Sequence, residues 1–142
     1  MANEMNKSTT RRIIDVFNSG NLAGLDELFA ENYYDHATPP GISPDLSGVK
    51  QFFTALRSAF PDFSYTVEDE ITEGDKVVIR VTGHGTMEGE FLGMPATGKS
   101  ATWSEIHLGR YENGKLVEHW ANVDQLGMLQ QLGLAPAPGQ GE

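Results

Sequence analysis

Apolar side chains recur every three or four residues before Phe63 and alternate with polar ones after it. The change of period separates a helical first half from a stranded second half. Ile13, Ile14, Val16 and Phe17 form the apolar face of a first helix, which Ser8 or Thr9 can cap and which runs to about Asn18. Leu22, Leu25, Leu28 and Phe29 keep helical spacing in a second, shorter helix. Val49, Phe52, Phe53, Leu56 and Phe60 make the buried stripe of a third, opened by Ser47 and closed by Pro61. Between the second and third lies "YYDHATPPGISPDLSG", Tyr33–Gly48, whose three prolines and two glycines predict a long loop.

From Phe63 onward, Tyr65, Val67, Asp69 and Ile71 continue a first strand. "VVIRVTGHGTM", "SATWSEIHLGRY" and "KLVEHWANV" supply three more, with "EGDK", "EGEFLGMPATGK" and "ENG" as connections. Asp124 caps a closing helix, "DQLGMLQQL", which Gly133 ends. Helices followed by consecutive strands predict an α+β fold with an antiparallel meander. A strongly curved sheet wrapped around the N-terminal helices makes a cone with a pocket at its mouth. One domain is expected over residues 1–134, with a disordered tail over 135–142.

At 142 residues the chain suits one hydrophobic core. A net charge of −10 argues against nucleic acid and anionic membranes as partners. A small, uncharged or cationic molecule fits better. No apolar run is long enough to span a bilayer, and the N-terminus lacks a signal-peptide core, so the expected compartment is the cytoplasm. The absence of cysteine removes disulfides, thiol nucleophiles and Cys-ligated metals.

The chemistry-bearing residues cluster in the last hairpin. Glu105, His107 and His119 are polar positions in strands that ought to be buried. A three-residue "ENG" loop sets His107 opposite His119 and Glu105 opposite Ala121; a two-residue Asn-Gly turn shifts the pairing by one and exchanges the faces. The first register is favoured, because it gathers Trp103, Glu105, His107, His119 and Ala121 on one face. A buried carboxylate needs a partner, and a carboxylate–imidazole pair performs acid–base work near neutral pH. Trp103 reads as a pocket wall, with Phe53 and Phe91 as further candidates to line it. Asp35 and His36 sit in the long loop, from which they can reach over the mouth; Asp35 alternatively closes a turn. No metal-ligand spacing, phosphate loop or dinucleotide fingerprint is present, so neither a metal nor a cofactor is expected.

Three segments, "VFNSGNLAGLDELFAENYYDHA", "GEFLGMPATGKSATWSEIHLGRYENGKLVEHW" and "DQLGMLQQLG", give the chain a resemblance to the SnoaL-like polyketide cyclases, or ester cyclases. These belong to the nuclear-transport-factor-2-like, cystatin-like superfamily. The resemblance spans roughly residues 8 to 134. It implies a cone-shaped sheet, an apolar pocket, a homodimer through the outer sheet face and cofactor-free aldol ring closure. It also implies a histidine at His107 and an acid–base aspartate two residues after the last strand's histidine. Alanine, Ala121, stands there instead.

Glu105, placed opposite Ala121 by the favoured register, is the candidate replacement. On this reading Glu105, His107 and His119 are catalytic, while His36, Trp103, Ala121, Phe53 and Phe91 contact the substrate. Two alternatives compete. One is a binding protein without turnover. The other is a hydrolase resembling limonene epoxide hydrolase, which would need Arg80 or Arg110 in the pocket.

Overall fold

The computed structural model describes residues 2–136, so most of the tail expected to be disordered lies outside the described residues. Helix α1 spans Ala2–Ser19 and carries Ile13, Ile14 and Phe17 into the core. It starts earlier than expected. Ser8 and Thr9 are interior to it, and Thr9 Oγ1 donates to the Gly114 carbonyl at 2.6 Å, tying the helix to a sheet hairpin. The second apolar run is a 3-10 helix, Leu22–Glu27, whose Leu25 is fully buried. Helix α2 spans Leu46–Ala59. Its N-cap is Asp45 rather than Ser47: the Asp45 carboxylate accepts from the Gly48 amide at 3.0 Å. The short helix α3, Gln125–Gln131, has the expected Asp124 cap and ends at Gly133, which is left-handed.

A strand not expected from the sequence, β1, occupies Phe29–Asp35. It is followed by β2 (Ser64–Glu73), β3 (Lys76–Thr86), β4 (Ser100–Glu112) and β5 (Lys115–Val123). The sheet order is β1-β5-β4-β3-β2. Strands β2 to β5 form the expected antiparallel meander, while β1 joins the β5 edge in parallel, so the sheet is mixed. Phe29, which appeared to continue the helical spacing, begins β1. Its ladder is irregular between Phe29 and Tyr34, and Glu31, Asn32 and Asp35 are polar, so neither period shows in the sequence. Asp35, assigned to the loop, is the strand's last residue and lies beside His119.

The β4–β5 register follows neither expectation. The turn is the two-residue Asn113-Gly114 type, with φ of 52° and 74°, and it pairs Glu112 with Lys115 and Tyr111 with Leu116. A bulge at Val117 then shifts the ladder, so that Gly109 meets His119, His107 meets Ala121 and Glu105 meets Val123. The bulge returns Glu105, His107, His119 and Ala121 to one face, as expected, but slides β5 along it. His107, not Glu105, therefore lies opposite Ala121. Gly114 needs its left-handed backbone, and an added Cβ would run into the Met5 side chain. Gly114→Ala is expected to cost about 1 kcal/mol or more, read from urea unfolding midpoints. Unchanged stability would remove this account of the turn.

Candidate active site

Helices α1 and α2 cover the concave face of the sheet without filling it. A cavity of about 490 Å³ remains between them. Its walls are mostly apolar and aromatic. Phe17 and Phe53 stack with ring centroids 3.9 Å apart, Val77 and Ile79 form part of the floor from β3, and Phe91 and Met128 close over it. Among the described residues that line it there is no Lys or Arg. Arg80 pairs with Asp69, and Arg110 with Glu118 and Glu112, outside the cavity, so neither arginine that a hydrolase would need reaches it.

One wall is polar, and it is a continuous line of hydrogen bonds across three strands. On β4, Glu105 is buried, with Oε1 2.6 Å from His107 Nε2. The same oxygen accepts the Tyr65 hydroxyl of β2 at 2.8 Å, and Oε2 accepts the Trp103 indole N–H at 2.6 Å. The indole lies flat over Gly83 on the neighbouring strand, where a Cβ would fall 2.5 Å from the ring. His107 Nδ1 meets His119 Nε2 at 2.8 Å. His119 Nδ1 meets Asp35 Oδ1 at 3.0 Å. Asp35 also accepts the Tyr33 hydroxyl at 2.7 Å and the Ala37 amide at 2.8 Å.

The register explains this line. Glu105 and His107 are alternate residues of β4 and project together. The Val117 bulge sets His119 diagonal to His107, and the parallel pairing of β1 brings Asp35 to the far side of His119. Burial pushes the Glu105 carboxyl up, but the hydrogen bond and charge of His107, with the Trp103 and Tyr65 donors, outweigh it and hold it below its ordinary value of 4.5. Asp35 behaves alike: burial raises it, while His119, Tyr33 and Ala37 bring it below 3.8. Burial pushes the Tyr33 and Tyr65 phenols far up, so both serve as donors.

Of the residues singled out in the sequence, Glu105, His107, His119, Trp103, Ala121, Phe53 and Phe91 all line this cavity. His36 does not. Its ring stacks on Trp120 with centroids 4.7 Å apart and hydrogen-bonds Glu118 at 2.9 Å on the other side of the sheet. Strand alternation requires this: Asp35 points inward, so its neighbour points out. Asp35, Tyr33 and Tyr65 complete the wall; Asp35, expected to reach over the mouth from a loop or to close a turn, ends β1 inside it, and the two tyrosines had no expected role. The signal for Asp35 and Tyr33 was the Tyr-x-Asp spacing, legible only once this stretch is known to be a strand. Among the described residues no group of three or more His, Asp or Glu side chains converges to hold a metal ion. The four ionisable groups meet in pairs along a line.

The curved sheet and its covering helices thus enclose an apolar cavity with a carboxylate–imidazole wall. The family model for SnoaL-like polyketide cyclases matches residues 7–132, and the chain belongs to that family. It is 32% identical over 130 residues to the aklanonic acid methyl ester cyclase DnrD of Streptomyces peucetius, covering 87% of each chain. It is 29% identical over 123 residues to the nogalonic acid methyl ester cyclase of Streptomyces nogalater, covering 85% of this chain and 92% of that one. Among solved structures, TsrD of Streptomyces laurentii superposes with a TM-score of 0.85 at 28% identity, over 93% of this chain and 97% of that one. IdmH of Streptomyces antibioticus, a putative polyketide cyclase, does so with a TM-score of 0.80 at 33% identity, over 90% and 98%.

Proposed function

We propose that the protein closes a ring, or moves a double bond, in a neutral polyketide-like ester by cofactor-free acid–base chemistry. The observation that carries this reading is the Glu105–His107–His119–Asp35 line along one wall of an otherwise apolar cavity. Removing a proton next to a carbonyl needs a base in a water-poor site and an acid to protonate the oxygen that gains charge. An imidazole pair flanked by two carboxylates offers both.

The relatives' names point to methyl esters, and the cavity gives that a physical reason. Glu105 and Asp35 already face it, and no lysine or arginine lines it. A free carboxylate would be buried against like charge, whereas its ester would not.

His107 is the residue we place nearest the reacting carbon. It stands opposite Ala121, whose methyl group leaves the adjoining space open to the ligand and brings no acid–base group of its own. Glu105 orients the His107 ring and stabilises its protonated form. The test is turnover on a panel of polyketide-like β-keto methyl esters, followed by product mass and ring closure. His107→Asn is expected to lower turnover about 10²–10⁴-fold at nearly unchanged binding. Equal turnover in the variant would remove His107 from the chemistry.

A second reading, a binding protein without turnover, draws support from one observation. All four ring nitrogens of His107 and His119 are already engaged within the wall, so a substrate oxygen must displace one bridge to react. Tight binding of the esters with no product from the wild-type protein would favour it.

A further inference from the structure

We propose that the resting site carries three protons on the four ring nitrogens of His107 and His119, one more than two neutral imidazoles supply, and that Asp35 is the positioning residue that holds the third. The inference deepens the acid–base reading of the same wall.

The argument is a proton count. Four groups in a line, Glu105, His107, His119 and Asp35, are joined by three bridges of 2.6, 2.8 and 3.0 Å. Each bridge needs one proton. The end groups are held ionised and accept: two further donors converge on each carboxylate, which favours its charged form. The indole N–H of Trp103 can only donate, and it holds Glu105 Oε2; the Ala37 amide can only donate, and it holds Asp35 Oδ1. The Tyr65 and Tyr33 hydroxyls occupy the remaining carboxylate positions.

Two neutral imidazoles bring two protons. One bridge would then set two lone pairs face to face at hydrogen-bonding distance between half-buried rings, where an unfilled contact is costly. A third proton closes the line. The cluster then carries two carboxylates and one imidazolium, a net charge of −1.

The surroundings agree. From β2 the ionisable neighbour is Tyr65, from β1 Tyr33 and Asp35, and from β4 Glu105 and, further along, Tyr111. Helices α1, α2 and α3 present no charged side chain to the cavity among the described residues. The phenols are raised by burial, Tyr111 to about 12 and the others further, so they stay neutral and donate. Among the described residues the imidazole pair is thus the one place in the wall for a positive charge.

The chemical consequence is that the resting site is already an acid. A ligand carbonyl oxygen that enters between the two rings receives the shared proton. The O–H bond forms as an imidazole N–H bond breaks, leaving both rings neutral. The proton taken from carbon in the same reaction returns to the pair, so the line regains three protons at each turnover with no net uptake or release.

The test is nitrogen NMR of ¹⁵N-histidine-labelled protein at neutral pH. His36→Gln and His84→Gln, the latter on β3 and neither lining the cavity, assign the signals of the chain's other two histidines. Three protonated nitrogens among the four of His107 and His119 are expected; two would overturn the proposal. Titration then separates Asp35 from mere packing. Asp35→Asn removes the charge that faces His119 and should release the third proton at lower pH. Tyr33→Phe removes a donor from Asp35, leaves it a stronger acceptor and should hold the proton to higher pH. These opposite shifts would not follow from a shared loss of packing, and unchanged or same-direction shifts would overturn the role of Asp35. The count needs no substrate. Three protons without turnover would fail the ring-closure reading alone, whereas turnover with two would fail this inference alone.

Discussion

Glu105→Ala is expected to lower the free energy of unfolding by about 3–5 kcal/mol, the scale for breaking a buried charge pair. Three donors converge on the Glu105 carboxylate: the Trp103 indole, the Tyr65 hydroxyl and the His107 ring. Alanine leaves all three unpaired in a buried pocket, and the cavity it creates adds to the loss. Glu105→Gln, nearly the same shape, is not neutral either. Whichever way the amide turns, its NH₂ faces an indole N–H on one side or the donors of His107 and Tyr65 on the other. The isosteric variant should therefore lose about 1–3 kcal/mol and is a poor probe of turnover alone. Urea unfolding of the two variants and of Trp103→Phe, which removes only one donor, gives the ranking. If Glu105→Ala unfolds at the wild-type midpoint, the carboxylate is not a structural centre of this wall.

The same residues show what a sequence can and cannot say. The period-two stretches after Phe63 are each antiparallel or central in the sheet, so one face is buried and the alternation survives in the residue types. Strand β1 hid because it is an edge strand paired in parallel and irregularly, with Glu31 and Asn32 at exposed positions. Without β1, Asp35 could be placed only over the mouth or in a turn, since a loop residue has no assigned face. The hairpin carried a second trap. Asn113-Gly114 marks a two-residue turn, but the bulge at Val117 has no residue signature, and it moves every partner from Glu118 onward. The shared face of Glu105 and His107 was legible from their spacing; His119 was placed with them through a three-residue loop that the turn does not form, and it is the bulge that restores that face, with His107 opposite Ala121. His36 was misplaced for the same reason as Asp35: strand alternation sends the two neighbours to opposite sides.

Acid should weaken the fold through this wall more than through the surface. Glu105 and Asp35 are both held below their ordinary values of 4.5 and 3.8, and both are buried. A carboxyl depressed in the folded state binds fewer protons there than in the unfolded chain, so stability rises with pH across the interval between its two values. Its contribution is complete above the ordinary value and disappears as pH falls through the depressed one. The contribution of these two carboxyls should therefore hold steady from neutral pH to about pH 5 and decline steeply below the ordinary carboxylate range. Glu118, Asp62 and Asp45 are also depressed, by the His36 and Arg110 contacts, the Thr86 amide and the Ser43 hydroxyl respectively, but they are solvent-screened and add little. Urea midpoints between pH 7 and pH 3 read the slope. The double variant Glu105→Gln/Asp35→Asn has no carboxyl to protonate in the wall, so it should start less stable at neutral pH and lose less on acidification. If its acid limb is as steep as the wild type's, the carboxyls that govern acid unfolding lie outside the cavity, and the line from Glu105 to Asp35 does not hold the charge assigned to it.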